Sequence, residues 1–261
     1  MKQVTLTNLI LAGVVAALSA IVYWQIEKEA AQFEPPLTAL DTHRVDEIVV
    51  RCRDCVERRF TRGSGQWMMQ SPYAMAADDV AIGRLLAIAH SPVRVRHPLD
   101  QFAANKIGLD PPLMTVQLDQ TRIDIGLTDA LRGDRYVRVD GQIAMVPDRF
   151  SPYLVALPES ELDRHLVPRG SQLLAVKVHG QALDDVAAWR VVIAQRITQP
   201  DPQLALDHVM QVEVMIEPQQ IIEYQLLRLA DAYVARRLAP PLDYVLNEQQ
   251  VQTMLGDALR H

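Results

Sequence analysis

The chain of 261 residues has two cysteines, Cys52 and Cys55, and few aromatic residues, 5 % in all. So few rings exclude a stacking platform for sugars or bases as the main surface. It has no basic cluster either. Its 26 Lys and Arg against 32 Asp and Glu leave a formal net charge of −6, spread without long single-sign runs. Nucleic acid and anionic headgroups therefore have no electrostatic footprint to meet. There is no glycine-rich phosphate loop, no H-E-x-x-H and no G-x-S-x-G, so nucleotide hydrolysis, zinc peptidase chemistry and a nucleophile elbow have no local support. No catalytic residue, cofactor or metal is expected.

What the chain does have is one long apolar run, Leu6 to Ile26, with no charge in it. As a helix it spans about 30 Å, the thickness of a bilayer's hydrocarbon core. Leu6, Leu9, Ile10, Leu11, Val14, Val15, Leu18, Ile21, Val22, Tyr23, Trp24 and Ile26 are read as a membrane anchor. Lys2 before the run and Glu27, Lys28 and Glu29 after it favour an inside amino terminus and an outside body, with Tyr23 and Trp24 at the outer headgroups. The expected location is the inner (plasma) membrane, single-pass, with a periplasmic body. Two other readings stand beside the anchor. One is a signal peptide cleaved near Leu18-Ser19-Ala20, against which the apolar run continues to Trp24; the other is a buried helix. No cysteine lies near enough to be acylated. Gly13 and Ala12, Ala16, Ala17 and Ala20 form a small-residue face able to pack on another helix.

Pro35-Pro36 marks a linker, and an α+β body of mostly antiparallel strands with helices follows. Strands are expected at Val45–Cys52, Val56–Arg62 and Gln66–Gln70 around Trp67, with Gly63-Ser64-Gly65 turning the chain. A helix opens at Asp78 with its stripe on Ile82, Leu85, Leu86 and Ala89. Further strands follow at Val93–Arg96, Thr115–Leu118, Thr121–Leu127, and Tyr136–Val139 with Gln142–Val146 about the hairpin dipeptide Asp140-Gly141; a helix is expected from about Phe150 to Leu157.

The second half repeats this order. Trp189 stands for Trp67, a helix opening at Asp201-Pro202 for that at Asp78, and Val212–Val214 for Val93–Val95. The strands Tyr224–Leu229 and Tyr233–Arg237 stand for those after Thr115, and Asp243–Leu246 leads into a helix capped by Asn247 and Gln250. Two similar lobes are therefore expected: an anchor over 1–27, a linker over 28–41, lobes over 42–158 and 172–261, and a connecting loop over 159–171. Leu166-Val167-Pro168-Arg169-Gly170-Ser171 matches a thrombin site used in expression tags and reads as an exposed part of that loop.

These residues resemble a bacterial family of membrane-anchored proteins known as domain of unknown function 4340. The resemblance rests on the anchor, Ile48-Val49-Val50, Trp67 with Ala77-Asp78 and Leu85-Leu86, Gly108-Leu109-Asp110-Pro111-Pro112, Ile125-Gly126 and Arg135-Tyr136-Val137. It covers the middle of the chain well and the part after about Leu166 poorly. It implies an accessory subunit of an envelope ABC-type transport system, with no enzymatic residues to carry over. Gly108 and the prolines would set a tight loop, Gly126 a strand end or bulge, and Trp67 a core anchor.

The C-x-x-C pair supports four readings: a structural disulfide across a hairpin with Arg53-Asp54 at its turn, two unlinked thiols, a redox pair, or part of a metal site. A redox pair wants a helix amino terminus, but Val56–Arg62 reads as strand; a zinc site wants four ligands, and His43, His90 and His97 are scattered. Asp78-Asp79 and Asp184-Asp185 read as helix starts, with acid/base or metal work as the alternative. Arg58-Arg59 and Arg236-Arg237 read as solvated strand residues, with an anion site as the alternative. The functional expectation is a non-enzymatic scaffold or assembly subunit whose partners are the bilayer and other membrane or envelope proteins, transporter subunits among them. Alternatives are a membrane-tethered thiol-disulfide oxidoreductase and a ligand-binding module in an interlobe cleft.

Overall fold

The computed structural model describes residues 2–30, 35–203, 209–229 and 232–256. Helix α1 runs Lys2–Ala30, with described side chains at Asn8 and from Leu11 to Trp24, all of them exposed. Among the described residues, no helix is long and apolar enough to cross a membrane. The anchor residues Leu6, Leu9, Ile10 and Ile26 have side chains outside the described set.

The body is α+β, its strands mostly antiparallel and gathered in two sheets. In chain order the first half carries β1 Glu47–Cys52, β2 Arg58–Gly63, β3 Gln66–Ser71, β4 Met75–Ala76, helix α2 Asp79–Leu86, β5 Val95–Pro98, β6 Met114–Leu118, β7 Thr121–Thr128, β8 Asp134–Val139, β9 Gln142–Pro147 and helix α3 Ser151–Leu154. The second half carries β10 Leu173–Val178, β11 Gln181–Ala182, helix α4 Ala187–Val191, β12 Arg196–Thr198, β13 Met210–Ile216, β14 Gln220–Arg228, β15 Tyr233–Arg237, β16 Leu242–Leu246 and helix α5 Glu248–Leu255. The sheet orders are β4-β3-β2-β1-β6-β7-β8-β9-β5 and β11-β10-β13-β14-β15-β16-β12. Once β3 and β4 are set aside, each half reads second, first, fourth, fifth, sixth, seventh, third. In each, a helix precedes the third strand and another follows the seventh.

Local chemistry explains the elements. Asp140-Gly141 joins β8 to β9 with both φ positive (50° and 73°), the requirement of a two-residue hairpin whose twist matches its strands. Ser64-Gly65 and His179-Gly180 make the same turn. Asp78 accepts from the N–H groups of Val80 (2.9 Å) and Ala81 (3.0 Å) and so starts α2. At α5 the Asn247 side chain accepts from the Gln250 N–H (2.8 Å) while the Gln250 side chain accepts from the Asn247 N–H (2.9 Å), the reciprocal capping box expected there.

Two compact units divide the chain. The first comprises Met1–His43, Ala87–Thr115 and Thr121–Arg149. In it the Gly108-to-Pro112 loop packs on β7 through Ile107, Leu109 and Ile143, with Phe102 and Tyr136 alongside. Gly126 lies within β7, where the Leu127 N–H donates to the Ile107 carbonyl (2.8 Å); a Cβ on Gly126 would stand 2.3 Å from that oxygen. This close approach of two backbones accounts for the glycine more directly than a strand end does. Leu37 and Thr38, expected in a linker, are buried, and their N–H groups donate to the carbonyls of Ser91 and Ala89.

The second unit comprises Arg44–Leu86, Val116–Gln120 and Phe150–His261. Trp67 is buried in β3 as expected. Trp189 is buried too, but in helix α4, with its indole N–H donating to the Met254 carbonyl (3.0 Å) on α5. The match of Trp189 to Trp67 is thereby corrected, as is that of Val212–Val214 to Val93–Val95: by position in the sheets β13 answers β6, and β12 answers β5. The helix expected from Asp201-Pro202 falls on residues 204–208, outside the described residues. That expected from Phe150 shortens to α3 and a 3-10 turn, Pro158–Glu161, because Pro158 cannot continue the ladder.

Candidate functional site

The cysteine pair closes the end of β1. Cys52 and Cys55 are joined in a disulfide with their Cα atoms 5.4 Å apart, and Arg53-Asp54 forms the turn. No helix begins there; β2 follows at Arg58, and Arg51 pairs with Glu57 (2.7 Å) beside the loop. The dipole that would lower a thiol pKa in a redox motif is therefore missing. Among the described residues, no group of three or more His, Cys, Asp or Glu is placed to hold a metal ion. His90 lies 2.8 Å from the Leu40 carbonyl and His97 stacks edge-on against Phe102.

The acidic pairs act at helix starts. Asp78 caps α2, and Asp185 accepts from the Ala187 N–H (2.8 Å) at α4. Asp79 differs in reaching Arg169 (2.6 Å).

The polar chemistry of the second unit gathers instead around the stretch joining the halves. Arg58, expected in solvent, is 0 % exposed. Its Nη1 donates to Glu161 (2.6 Å) and to the Tyr153 carbonyl (3.2 Å), and its Nη2 donates to the Leu154 carbonyl, so one guanidinium closes α3 and pairs the connector's acid. Among the described residues, Arg58 Nε and Glu161 Oε2 are buried without hydrogen-bond partners. Burial pushes the Glu161 carboxyl up to about 7, the Arg58 charge and hydrogen bond pulling it partly back. Two residues earlier, Glu159 accepts from the Tyr73 hydroxyl and from Gln199 (2.9 Å). Burial first, then the Glu159 hydrogen bond and charge, push Tyr73 up to about 12. Two residues later, Asp163 lies 2.6 Å from His165 Nδ1 and accepts from Arg169 Nε (2.7 Å).

The segment Leu166-to-Ser171 is therefore only in part the exposed loop its composition suggests, Arg169 and Gly170 being exposed. Leu166 and Val167 are buried, the Tyr224 hydroxyl donates to the Leu166 carbonyl (2.6 Å), and Arg169 is held by two carboxylates. Arg236-Arg237 is corrected likewise: Arg236 pairs with the buried Asp243 (2.7 Å), and Arg237 is 8 % exposed.

One cleft of about 290 Å³ opens in this region, between β3–β4, the connector and β13–β15. Its polar lining includes Gln66, Asp163, Arg169 and Arg237; Met68, Met75 and Ile216 supply apolar wall. Of these groups the sequence marks only Arg237, as half of a pair for which an anion site is the lesser alternative. The signal was present in strand alternation, which puts Arg58 on the face of Phe60, and Arg237 on the face of Ala235. Charge argued for solvent and was given more weight.

Compared with family models, with curated proteins and with solved structures, the chain matches none.

Proposed function

We propose that the chain is a non-enzymatic accessory or assembly subunit of an envelope complex: α1 seats it in a membrane, and a body of two similar, duplicated lobes meets other membrane or envelope proteins outside the cytoplasm, subunits of an ABC-type transport system among them. The observation that carries this reading is the solvent problem of α1. Leu11, Val14, Val15, Leu18, Ile21, Val22, Tyr23 and Trp24 are all exposed, so among the described side chains the helix presents its apolar residues outward instead of burying them. Each such side chain gains about 1.5–3 kcal/mol on leaving water, which favours a bilayer or a partner's helices around α1. Three further points support the reading. The shared strand order of the two sheets favours duplication. A disulfide such as Cys52–Cys55 persists in oxidising compartments. The resemblance to domain of unknown function 4340 adds the class of partner.

The test is affinity purification of the tagged full-length chain in mild detergent, followed by mass spectrometry, beside a form lacking residues 1–27. The same membrane proteins recovered with the anchored form, and lost without it, support the proposal. Both forms emerging alone, or the full-length chain fractionating away from membranes, overturns it.

A further inference from the structure

We infer that the cleft between β3–β4 and β15 is a binding site for a small ligand carrying a carboxylate next to a short apolar side chain. The argument starts from Arg237. A guanidinium carries five N–H donors and a charge it cannot lose, and burying it without a counter-ion costs several kcal/mol. Arg237 is 8 % exposed, yet among the described residues it makes no ion pair. Its Nε donates to the Ala239 carbonyl (2.9 Å), and its Nη1 faces the Met75 sulfur (3.5 Å), a weak acceptor.

The acids nearby are already committed. Asp163, in the same lining, has Oδ1 occupied by His165 and Oδ2 by Arg169, and Asp243 is taken by Arg236. Across the cleft, Gln66 Nε2 is a buried donor with no partner among the described residues. One donor without a partner and one guanidinium without an ion-pair partner among the described residues thus line one cavity. An incoming carboxylate supplies the acceptor that Gln66 lacks and the counter-charge that Arg237 lacks, and guanidinium suits it by donating two parallel hydrogen bonds. The Met68, Met75 and Ile216 wall and the volume of about 290 Å³ admit an apolar side chain of amino-acid size. The shared chemistry fits a free carboxylic acid or the carboxyl end of a peptide.

The probes are N-acetyl-leucine and hexanoate, titrated calorimetrically into the full-length chain in mild detergent, with N-acetyl-leucinamide as the uncharged control. Binding of an acid and not of the amide is expected. Equal binding of both acids assigns the site to free acids, and binding of N-acetyl-leucine alone assigns it to a peptide end. Arg237→Met weakens binding about tenfold or more, the worth of a charge-assisted hydrogen bond. Because Arg237→Met removes a buried group and threatens folding, Gln66→Glu gives an independent reading. It places a carboxylate in the cleft that Arg237 lines, so it raises the melting temperature and abolishes acid binding. The inference is overturned by acids that bind no better than the amide, or by a Gln66→Glu protein that binds them as the wild type does.

Discussion

Replacing Arg58 by Met tests whether a charge placed against expectation holds the connector in position. The substitution keeps an unbranched apolar stem and removes a guanidinium that serves Glu161 and the carbonyls of Tyr153 and Leu154. In the wild type the folded state holds the Glu161 proton more tightly than the unfolded chain, since the carboxyl rises from 4.5 to about 7. The stability this group contributes is complete below about pH 4.5 and is lost as pH rises through about 7. Arg58 limits that loss by pulling the value down, so its removal moves the carboxyl further up. At pH 5 the acid is protonated in both proteins, and the variant loses two carbonyl hydrogen bonds and one to the neutral acid, about 2–3 kcal/mol. At pH 8 it must also bury an unpaired carboxylate or take up a proton, and the loss grows to about 3–5 kcal/mol. Urea unfolding followed through the fluorescence of Trp67 and Trp189, both buried in the second unit, measures the difference at each pH. Equal destabilisation at pH 5 and pH 8 would refute the argument, because it would mean that Glu161 does not depend on Arg58 for its charge.

Gly126→Ala sets a methyl 2.3 Å from the Ile107 carbonyl oxygen, and backbone must move; a loss of about 2–3 kcal/mol in urea is expected, and a loss below about 0.5 kcal/mol contradicts the close approach. Asn247→Ala removes the reciprocal cap of α5 and costs about 1 kcal/mol, with faster amide exchange confined to that helix as the check. Thrombin leaves the native chain intact at Arg169 despite the matching sequence, because Leu166 and Val167 are buried and Arg169 is clamped by Asp79 and Asp163. Cleavage of native protein at the rate seen in urea would show that the segment is open.

What the sequence revealed was what local rules govern. The Asp140-Gly141 hairpin, the Asp78 start and the Asn247–Gln250 box follow from residues within a few positions of one another, and each is where its chemistry puts it. The β10–β11 hairpin, turned by His179-Gly180, has no counterpart in a repeat whose register rests on two tryptophans. Those prove to lie on different elements, Trp67 on a strand and Trp189 on a helix. Strand order, which aligns the halves, depends on pairings between residues far apart in sequence and has no local trace. The cleft was hidden for the same reason. Arg237 and Gln66 are 171 positions apart, and nothing in either neighbourhood announces the other.

If each half carries the same strand order, each could in principle fold alone, and the connector decides whether it does. Glu159, Glu161 and Asp163 alternate along it, and between them they take partners from both halves: Tyr73 and Gln199, Arg58, and Arg169 with Asp79 beyond. Tyr224 and Arg237 of the second sheet also reach residues outside it, the Leu166 carbonyl and the Met75 sulfur. A fragment of residues 172–261 keeps its seven-stranded ladder, but it strands the buried Tyr224 hydroxyl, costing about 1–3 kcal/mol, and leaves Arg237 with the Ala239 carbonyl but without the Met75 sulfur. Against a total stability of about 5–15 kcal/mol for a domain, that hydroxyl and an uncovered face are enough to abolish cooperative unfolding. A fragment starting at residue 158 restores the acceptor for Tyr224 and should recover part of the transition in a calorimetric scan. A cooperative transition at the full-length temperature from residues 172–261 alone would show that the lobes are independent and that the buried connector contributes nothing to holding them.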